Sequence, residues 1–144
     1  MSGDATTRQA ATRNTPRGTR PRRAAAVAAA ALAALALWAL TGPVAGLDLA
    51  AETGGETRPV GAGAVAAAAV LAGLAAWALL ALLERAARRP RRTWTITALA
   101  VLALSLTGPL GSAGDTASRA VLAAMHVLVG AVLIAGLGRS ARTR

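Results

Sequence analysis

The stretch that decides the fold lies in the middle of the chain. Residues 61–83 read GAGAVAAAAVLAGLAAWALLALL, and residues 84–92 read ERAARRPRR. A helix needs about 20 mostly apolar residues to cross roughly 30 Å of hydrocarbon. The first stretch has that length and composition, and the second is a dense cluster of arginines. An apolar span followed at once by basic residues is typical of a membrane helix that ends in a charged loop.

The same alternation recurs along the whole chain. Apolar stretches also occupy residues 24–40, 94–110 and 117–137. The 144 residues are 55% hydrophobic, and the polar ones are gathered into blocks between the stretches rather than alternating within them. We therefore predict an all-α membrane protein, a four-helix transmembrane bundle, in residues 24–138.

The two ends of the chain differ in composition from the bundle. Residues 1–23 contain Thr, Arg, Gly and Pro and almost no large apolar residue, which predicts a disordered basic tail. Residues 139–144 form a second, shorter basic tail. Leu40-Thr41-Gly42-Pro43 and Leu106-Thr107-Gly108-Pro109 end the first and third stretches. Proline and glycine there predict helix ends, and the similarity suggests two parallel two-helix repeats, with chance in an Ala/Leu/Arg-rich chain as the alternative.

Arginines are distributed unequally between the two sides of the predicted bundle. The chain has no lysine, and 14 of its 16 basic residues lie on one side. By the positive-inside rule both termini are cytoplasmic, in a multi-pass protein of the plasma membrane. The 14 are Arg8, Arg13, Arg17, Arg20, Arg22, Arg23, Arg85, Arg88, Arg89, Arg91, Arg92, Arg139, Arg142 and Arg144.

Two alternatives concern the N-terminal part. Residues 1–45 have the order of a cleaved signal peptide, but an uncleaved first span keeps the loop charges consistent. The cytoplasmic arginines, including those of the basic tail, are expected to lie on anionic lipid headgroups. Nucleic-acid binding is the other interpretation of these arginines, but no aromatic residue is interleaved with them, so we predict no nucleic-acid partner.

The loop between the first two spans, roughly residues 44–59, is the longest. Gly54-Gly55 could form the turn of a short hairpin. Asp48, Glu52 and Glu56 are spaced by four, which would align them on a helix, but the two glycines argue against a helix. We therefore predict a solvated acidic loop and no metal site.

Small and aromatic residues suggest how the spans pack. Rows such as Ala26, Ala30 and Ala34 would let two backbones approach closely, as would Ala69 with Gly73, and Gly130 beside Ala131 and Ala135. The Trp38 and Trp94 indoles are predicted near opposite membrane interfaces, with their N–H groups in contact with water.

His126 is the only ionisable side chain well inside a span. Helical side chains lean toward their own N-terminus, which places this imidazole at the level of Ser105 and Thr107. A hydrogen bond to one of these hydroxyls or to a carbonyl would make the histidine a structural link, whereas an intramembrane ionisable group is also a candidate for proton or ligand transfer. Ser105, Thr107 and His126 form the candidate intramembrane site.

No pattern in the sequence points to an enzyme. Cysteine is absent, and we find no Ser–His–Asp set, metal-ligand spacing, phosphate loop or paired intramembrane carboxylates, so we predict no catalysis and no cofactor. The leading hypothesis is a non-enzymatic scaffold or partner of another membrane component. The alternative is a small transporter or channel subunit that works as a homo-oligomer, with His126 lining the path.

Short motifs across residues 24–138 resemble an actinobacterial family of small four-span membrane proteins classed as a domain of unknown function. The resemblance implies the four-span fold and no activity, substrate or catalytic residue. The motifs are Trp38, Leu47-Asp48-Leu49, Thr53-Gly54-Gly55, Val60-Gly61, the run from Trp77 to Glu84, Arg92-Thr93-Trp94-Thr95, Leu106 to Leu110, and Met125 to Gly130.

Overall fold

The computed structural model describes residues 18–53, 55–111 and 115–141. Four long helical segments follow one another, and a two-stranded hairpin joins the first two. The helices are α1 (Thr19–Ala39), extended by a π-helical turn (Leu40–Val44), α2 (Ala62–Ala86), α3 (Pro90–Ser105) followed by the short α4 (Thr107–Gly111), and α5 (Thr116–Gly138); the strands are β1 (Ala50–Thr53) and β2 (Glu56–Pro59).

Each helical segment is long and apolar enough to cross a membrane. The four candidate spans contain 26, 25, 22 and 23 residues. At about 1.5 Å per residue each exceeds the roughly 30 Å of a bilayer's hydrocarbon. Between 11% and 28% of the residues in their most apolar windows are buried inside the protein, so most of the apolar surface faces outward. The predicted four-helix fold is confirmed.

The first helix begins earlier than its hydrophobicity indicated. α1 starts at Thr19, so the prediction of a disordered tail is wrong for residues 19–23, and the predicted disorder of residues 1–17 lies outside the described residues. Pro21 falls in the first turn of α1, where a backbone N–H would have no partner within the helix. Arg23 adds tertiary contacts that hold this turn, as described below.

The α-helical part of the first and third spans ends just before the Leu-Thr-Gly-Pro segment, α1 at Ala39 and α3 at Ser105, as the sequence predicted. Thr41, Gly42 and Pro43 lie within the π-helical turn that continues α1. A proline ring clashes with the carbonyl four residues earlier in an α-helix, and a wider turn relieves that clash. Pro109 lies instead in the first turn of α4, after the helix is interrupted at Leu106. The two segments thus share a sequence but not a conformation.

The described arginines mark one end of the bundle. We call it the arginine-rich end: it contains the start of α1, the turn between α2 and α3, and the end of α5. The turn between α2 and α3 is short, because α2 ends at Ala86 and α3 begins at Pro90. Pro90 is therefore the first residue of α3 and does not itself form the turn. Arg89 has a non-helical backbone, with φ −128° and ψ 70°, and the residue before a proline disfavours the helical conformation.

The opposite end, which we call the hairpin end, contains the predicted hairpin. β1 and β2 pair antiparallel, with Ala50 opposite Pro59 and Thr53 opposite Glu56. Gly55 lies in the turn with φ +83°, a left-handed conformation that glycine adopts without strain. Gly46, with φ +71°, ends the helical course after the π-helical turn in the same way.

The helices pack as a closed ring of antiparallel neighbours. α1 packs mainly against α2 and α5, and α3 packs against α5 and, less extensively, against α2. Small residues allow close approach: a methyl group at Gly73 would lie 2.7 Å from Cγ1 of Val27, and one at Gly136 would lie 2.7 Å from Cβ of Ala26. Ala131 and Ala135, expected beside Gly130 on a packing face, are exposed instead.

The largest buried side chains are concentrated toward the arginine-rich end. Leu80, Leu137 and Trp94 are at most 1% exposed and belong to one cluster with Ala26 and Leu133. Toward the hairpin end the core consists of smaller residues, which are Ala31, Ala34, Val65 and Ala69. The bulkiest packing therefore lies next to the polar cluster described in the following section.

Candidate functional site

A buried polar cluster joins three segments at the arginine-rich end. Arg23 of α1 is 5% exposed, unlike the exposed Arg20 and Arg22 beside it. One of its terminal nitrogens, Nη2, donates to Oε1 of Glu84 near the end of α2. Its Nε donates to Oγ of Ser140, just after α5, over 3.2 Å, and Nη2 reaches the Ser140 carbonyl at 3.3 Å.

The cluster satisfies its polar groups internally. Ser140 Oγ accepts from Arg23 and donates to the Leu137 carbonyl at 2.8 Å. Arg23 and Glu84 side chains are 6% and 16% exposed, so their charges are largely removed from water. Buried charges are stable only when they are paired and hydrogen-bonded, which this arrangement provides.

Trp94 of α3 brings the remaining span, the third, to the same end. The indole is 1% exposed, and its Nε1 donates to the Ile134 carbonyl of α5 over 3.3 Å. A methyl group at Gly138 would lie 3.5 Å from Trp94 Cδ1, so the ring packs directly on the end of α5. The prediction that this N–H would stay in contact with water is therefore wrong, because a helix carbonyl replaces the water.

The predicted intramembrane site is not linked by hydrogen bonds. His126 is half-buried, and its Nδ1 lies 2.8 Å from the carbonyl of Leu122, one turn earlier in α5. Ser105 donates to Leu102 and Thr107 donates to Leu104, both within their own segment. Each of the three side chains thus bonds to a backbone carbonyl close to it in sequence, and the described contacts assign His126 no link between helices.

The hairpin end holds its elements through backbone groups. Trp38 Nε1 donates to the Val60 carbonyl at 2.7 Å, and the Val60 N–H donates to the Leu49 carbonyl at 2.8 Å. A cleft of about 680 Å³ lies between the hairpin and the π-helical turn. Its walls are mainly apolar, and Asp48 is the one charged residue among the described residues that line it.

A cap begins the last span at the same end. Asp115 accepts a hydrogen bond from the Ser118 backbone N–H at 3.0 Å, as an N-cap residue does. Hydrogen bonds from the Ser118 side chain and backbone hold the pKa of Asp115 below its ordinary value. Arg119, one position after Ser118, has a buried Nε with no hydrogen-bond partner among the described residues.

These contacts position helices rather than a reactive group. Arg23 is bonded to the Glu84 carboxylate and to Ser140, and the imidazole of His126 faces a carbonyl of its own helix. Within the described part of the chain, no three His, Asp or Glu side chains are grouped as metal ligands would be. The structure therefore supports a structural role for the polar cluster, which holds the ends of the helices together.

The alternation of spans and basic loops, the hairpin and the four packed helices together define the class of protein. The chain belongs to the family of unknown function (DUF6069). The family model matches residues 14–143, which include all four spans. The expected resemblance to a four-span family of unknown function is thus confirmed, while its actinobacterial origin stays a prediction. No curated protein and no solved structure matches the sequence.

Proposed function

We propose that this protein is a non-enzymatic integral membrane protein of the plasma membrane, acting as a scaffold or partner of another membrane component. The observation that carries the proposal is the set of hydrogen-bond partners of the protein's polar side chains. The intramembrane histidine and hydroxyls bond to nearby backbone carbonyls, and the buried ion pair is internal. The outer surface is apolar over the thickness of a bilayer's hydrocarbon, so a partner that contacts this surface does so within the bilayer.

The charge distribution supports an orientation with both termini in the cytoplasm. Nine described arginines lie at the arginine-rich end, and two, Arg58 and Arg119, lie at the hairpin end. Basic residues near span ends are retained on the cytoplasmic side. The extensive packing of α1 on α2 and α5 also supports a first span that is kept in the mature protein rather than cleaved.

The third span is the favoured contact for a partner or a second copy. It has the smallest buried share of the four, 11% of its most apolar window. Ile96, Leu99 and Leu104 are 58%, 52% and 70% exposed along it. In lipid, association comes from close packing of helix faces rather than from a hydrophobic driving force. A partner helix against this face would complete packing that the single chain leaves open.

Cysteine substitution tests orientation and association separately, since the natural chain has no cysteine. Thr57→Cys at the hairpin end should react with a membrane-impermeant maleimide in intact cells. Arg139→Cys should react only after permeabilisation. The reverse pattern would contradict the proposed orientation.

Oxidative crosslinking then distinguishes association with a second copy of the chain from association with a different protein. Leu99→Cys should give a disulfide-linked dimer in membranes if a second copy covers α3. The matched control is Ala30→Cys, which replaces a fully buried residue of α1 and should remain monomeric. A Leu99→Cys chain that stays monomeric in native membranes, and that yields no crosslinked heteromeric species with a bifunctional maleimide, would contradict the scaffold role.

The transporter alternative predicts a different dependence on His126. His126→Leu should abolish proton-coupled or ligand-coupled flux in liposomes if the imidazole lines a path. The scaffold proposal expects no flux from the wild type above that of empty liposomes. Flux that the substitution removes would overturn the scaffold proposal in favour of transport.

A further inference from the structure

The turn between α2 and α3 carries an unusual density of exposed positive charge. Five of the eight residues at positions 85–92 are arginines, and all five are exposed. We call them the turn arginines; they are Arg85, Arg88, Arg89, Arg91 and Arg92. Arg20, Arg22 and Arg139 are also exposed at the same end.

Among the described residues, no carboxylate pairs with the turn arginines. Glu84 is the only acidic residue described at the arginine-rich end, and it is already bonded to the buried Arg23. Among the described residues the second salt bridge joins Arg58 to Glu56, at the opposite end of the molecule. The internal ion pair thus leaves the turn arginines without a carboxylate partner within the described chain.

The spans place these arginines at the boundary of the hydrocarbon. Leu82, just before the turn, is 59% exposed, and Ile96, just after it, is 58% exposed. Both belong to candidate membrane spans, so their side chains face lipid tails. The guanidinium groups between them therefore lie at the depth of the headgroups, where a phosphate can accept a bidentate pair of hydrogen bonds.

We propose that the turn arginines form a binding surface for anionic phospholipid headgroups of the leaflet that they face. This inference rests on the membrane placement in the proposed function and names a partner for one end of it. Each basic residue near an anionic surface contributes about 1 kcal/mol, which corresponds to about a fivefold change in affinity. Anionic lipid also stabilises the fold, because it binds across the link between two spans.

The test measures lipid binding to the full chain purified in neutral detergent. Phosphatidylglycerol and phosphatidylcholine with the same acyl chains are titrated separately, and bound lipids are resolved by native mass spectrometry alongside the melting temperature. The wild type should bind phosphatidylglycerol more tightly and melt at a higher temperature in its presence. Equal binding of the two lipids would overturn the proposal.

Variants identify the surface and separate charge from fold. Arg88→Gln combined with Arg92→Gln should weaken phosphatidylglycerol binding about 25-fold, at about fivefold per arginine. Lysine at the same two positions should bind more tightly than glutamine but less tightly than arginine, because the charge is kept while the bidentate hydrogen bonding is lost. Arg58→Gln at the hairpin end should leave it unchanged. A double glutamine variant that binds like the wild type would contradict the assignment of the site.

Two competitors distinguish the lipid from other sources of phosphate. Soluble glycerol phosphate should not displace the lipid, because it lacks the acyl chains that hold the headgroup beside the apolar spans at the turn. Displacement by a short RNA at lower phosphate concentration than the lipid would overturn the proposal in favour of a nucleic-acid surface. Extraction of cell membranes with carbonate keeps the two proposals separate: a chain found in the soluble fraction refutes the proposed function, whereas an inserted chain without lipid preference refutes only this inference.

Discussion

The two ends of this bundle are fastened by different means. At the arginine-rich end, the guanidinium of Arg23 in α1 bonds to Glu84 of α2 and to Ser140 just after α5. Trp94 of α3 bonds to the Ile134 carbonyl of α5. At the hairpin end the contacts are mainly to backbone carbonyls, and the core is built from alanine and valine. The comparison teaches that a low-complexity Ala/Leu sequence gains specificity from a few polar side chains at the ends of its spans.

The largest effect is expected from breaking the ion pair. Arg23→Ala leaves Glu84 without its buried partner, and removal of one partner of a buried pair costs about 3–5 kcal/mol of unfolding free energy. Arg22→Ala is the matched control, because Arg22 is adjacent and exposed and should change stability by less than about 0.5 kcal/mol. Reversible unfolding in mixed micelles measures both. Equal stability of the two variants would contradict the view that Arg23 holds this end together.

A smaller effect is expected where α1 and α5 touch most closely. Gly136→Ala would place a methyl group 2.7 Å from Cβ of Ala26, an atom that cannot move without shifting a helix backbone. Overpacking of this kind costs about 1–3 kcal/mol. Gly63→Ala in α2 meets no atom within 4 Å and serves as the control. If both alanine variants unfold like the wild type, the close α1–α5 approach is incorrect.

Two tryptophans compare the ends directly. Trp94→Phe and Trp38→Phe each remove an indole donor to a helix or loop carbonyl. We expect Trp94→Phe to cost about 2 kcal/mol and Trp38→Phe about 1 kcal/mol, because the Trp94 indole is fully buried and its hydrogen bond lies where water is excluded. Trp77→Phe, which loses no described hydrogen bond, is the reference. A larger loss at Trp38 would show that the hairpin end is the more tightly fastened one.

The smallest effect concerns the cap of α5 in acid. The pKa of Asp115 is lowered in the folded protein, so its charge stabilises the fold above the unfolded pKa, and that contribution is lost as pH falls through the folded value. Wild-type melting temperature should therefore decline below about pH 4 more than that of Asp115→Asn. The asparagine retains the cap but cannot titrate. Identical pH profiles would exclude a contribution from this carboxylate.

The spans were predictable from the sequence because hydrophobic length depends on local composition alone. Rows of small residues also indicated the packing faces at Ala26, Ala30 and Ala34 on α1 and at Ala69 and Gly73 on α2. All five are buried, with the alanines between 0% and 8% exposed. These features repeat at the helical period, so they can be read without knowledge of a partner.

The polar cluster was not predictable in the same way. Arg23 is one of six arginines before the first span, and nothing in its neighbours distinguishes it from Arg20 or Arg22. Its partners lie 61 and 117 positions away in sequence, so the pairing depends on the tertiary arrangement. The available signal was Glu84, the only carboxylate in a basic loop, which requires a cationic partner if it is buried.

His126 could be placed inside a span from the sequence, but its hydrogen-bond partner could not be identified. An isolated ionisable residue within a span is a candidate for function by default, and its depth matched that of Ser105 and Thr107. The sequence left a hydroxyl or a carbonyl as the acceptor, and the structure has the carbonyl of Leu122, one turn earlier in the same helix. A role for His126 in transport or in structure therefore stays a prediction.

A double-mutant cycle on Arg23 and Glu84 measures directly whether this ion pair holds the arginine-rich end together. Unfolding free energies are measured for the wild type, Arg23→Ala, Glu84→Ala and the double variant in the same mixed micelles. We expect a coupling energy of about 2–3 kcal/mol, with the double variant less destabilised than the sum of the single variants. Effects that add to within about 0.5 kcal/mol would show that the two side chains act independently, and the arginine-rich end would then not be fastened by this pair.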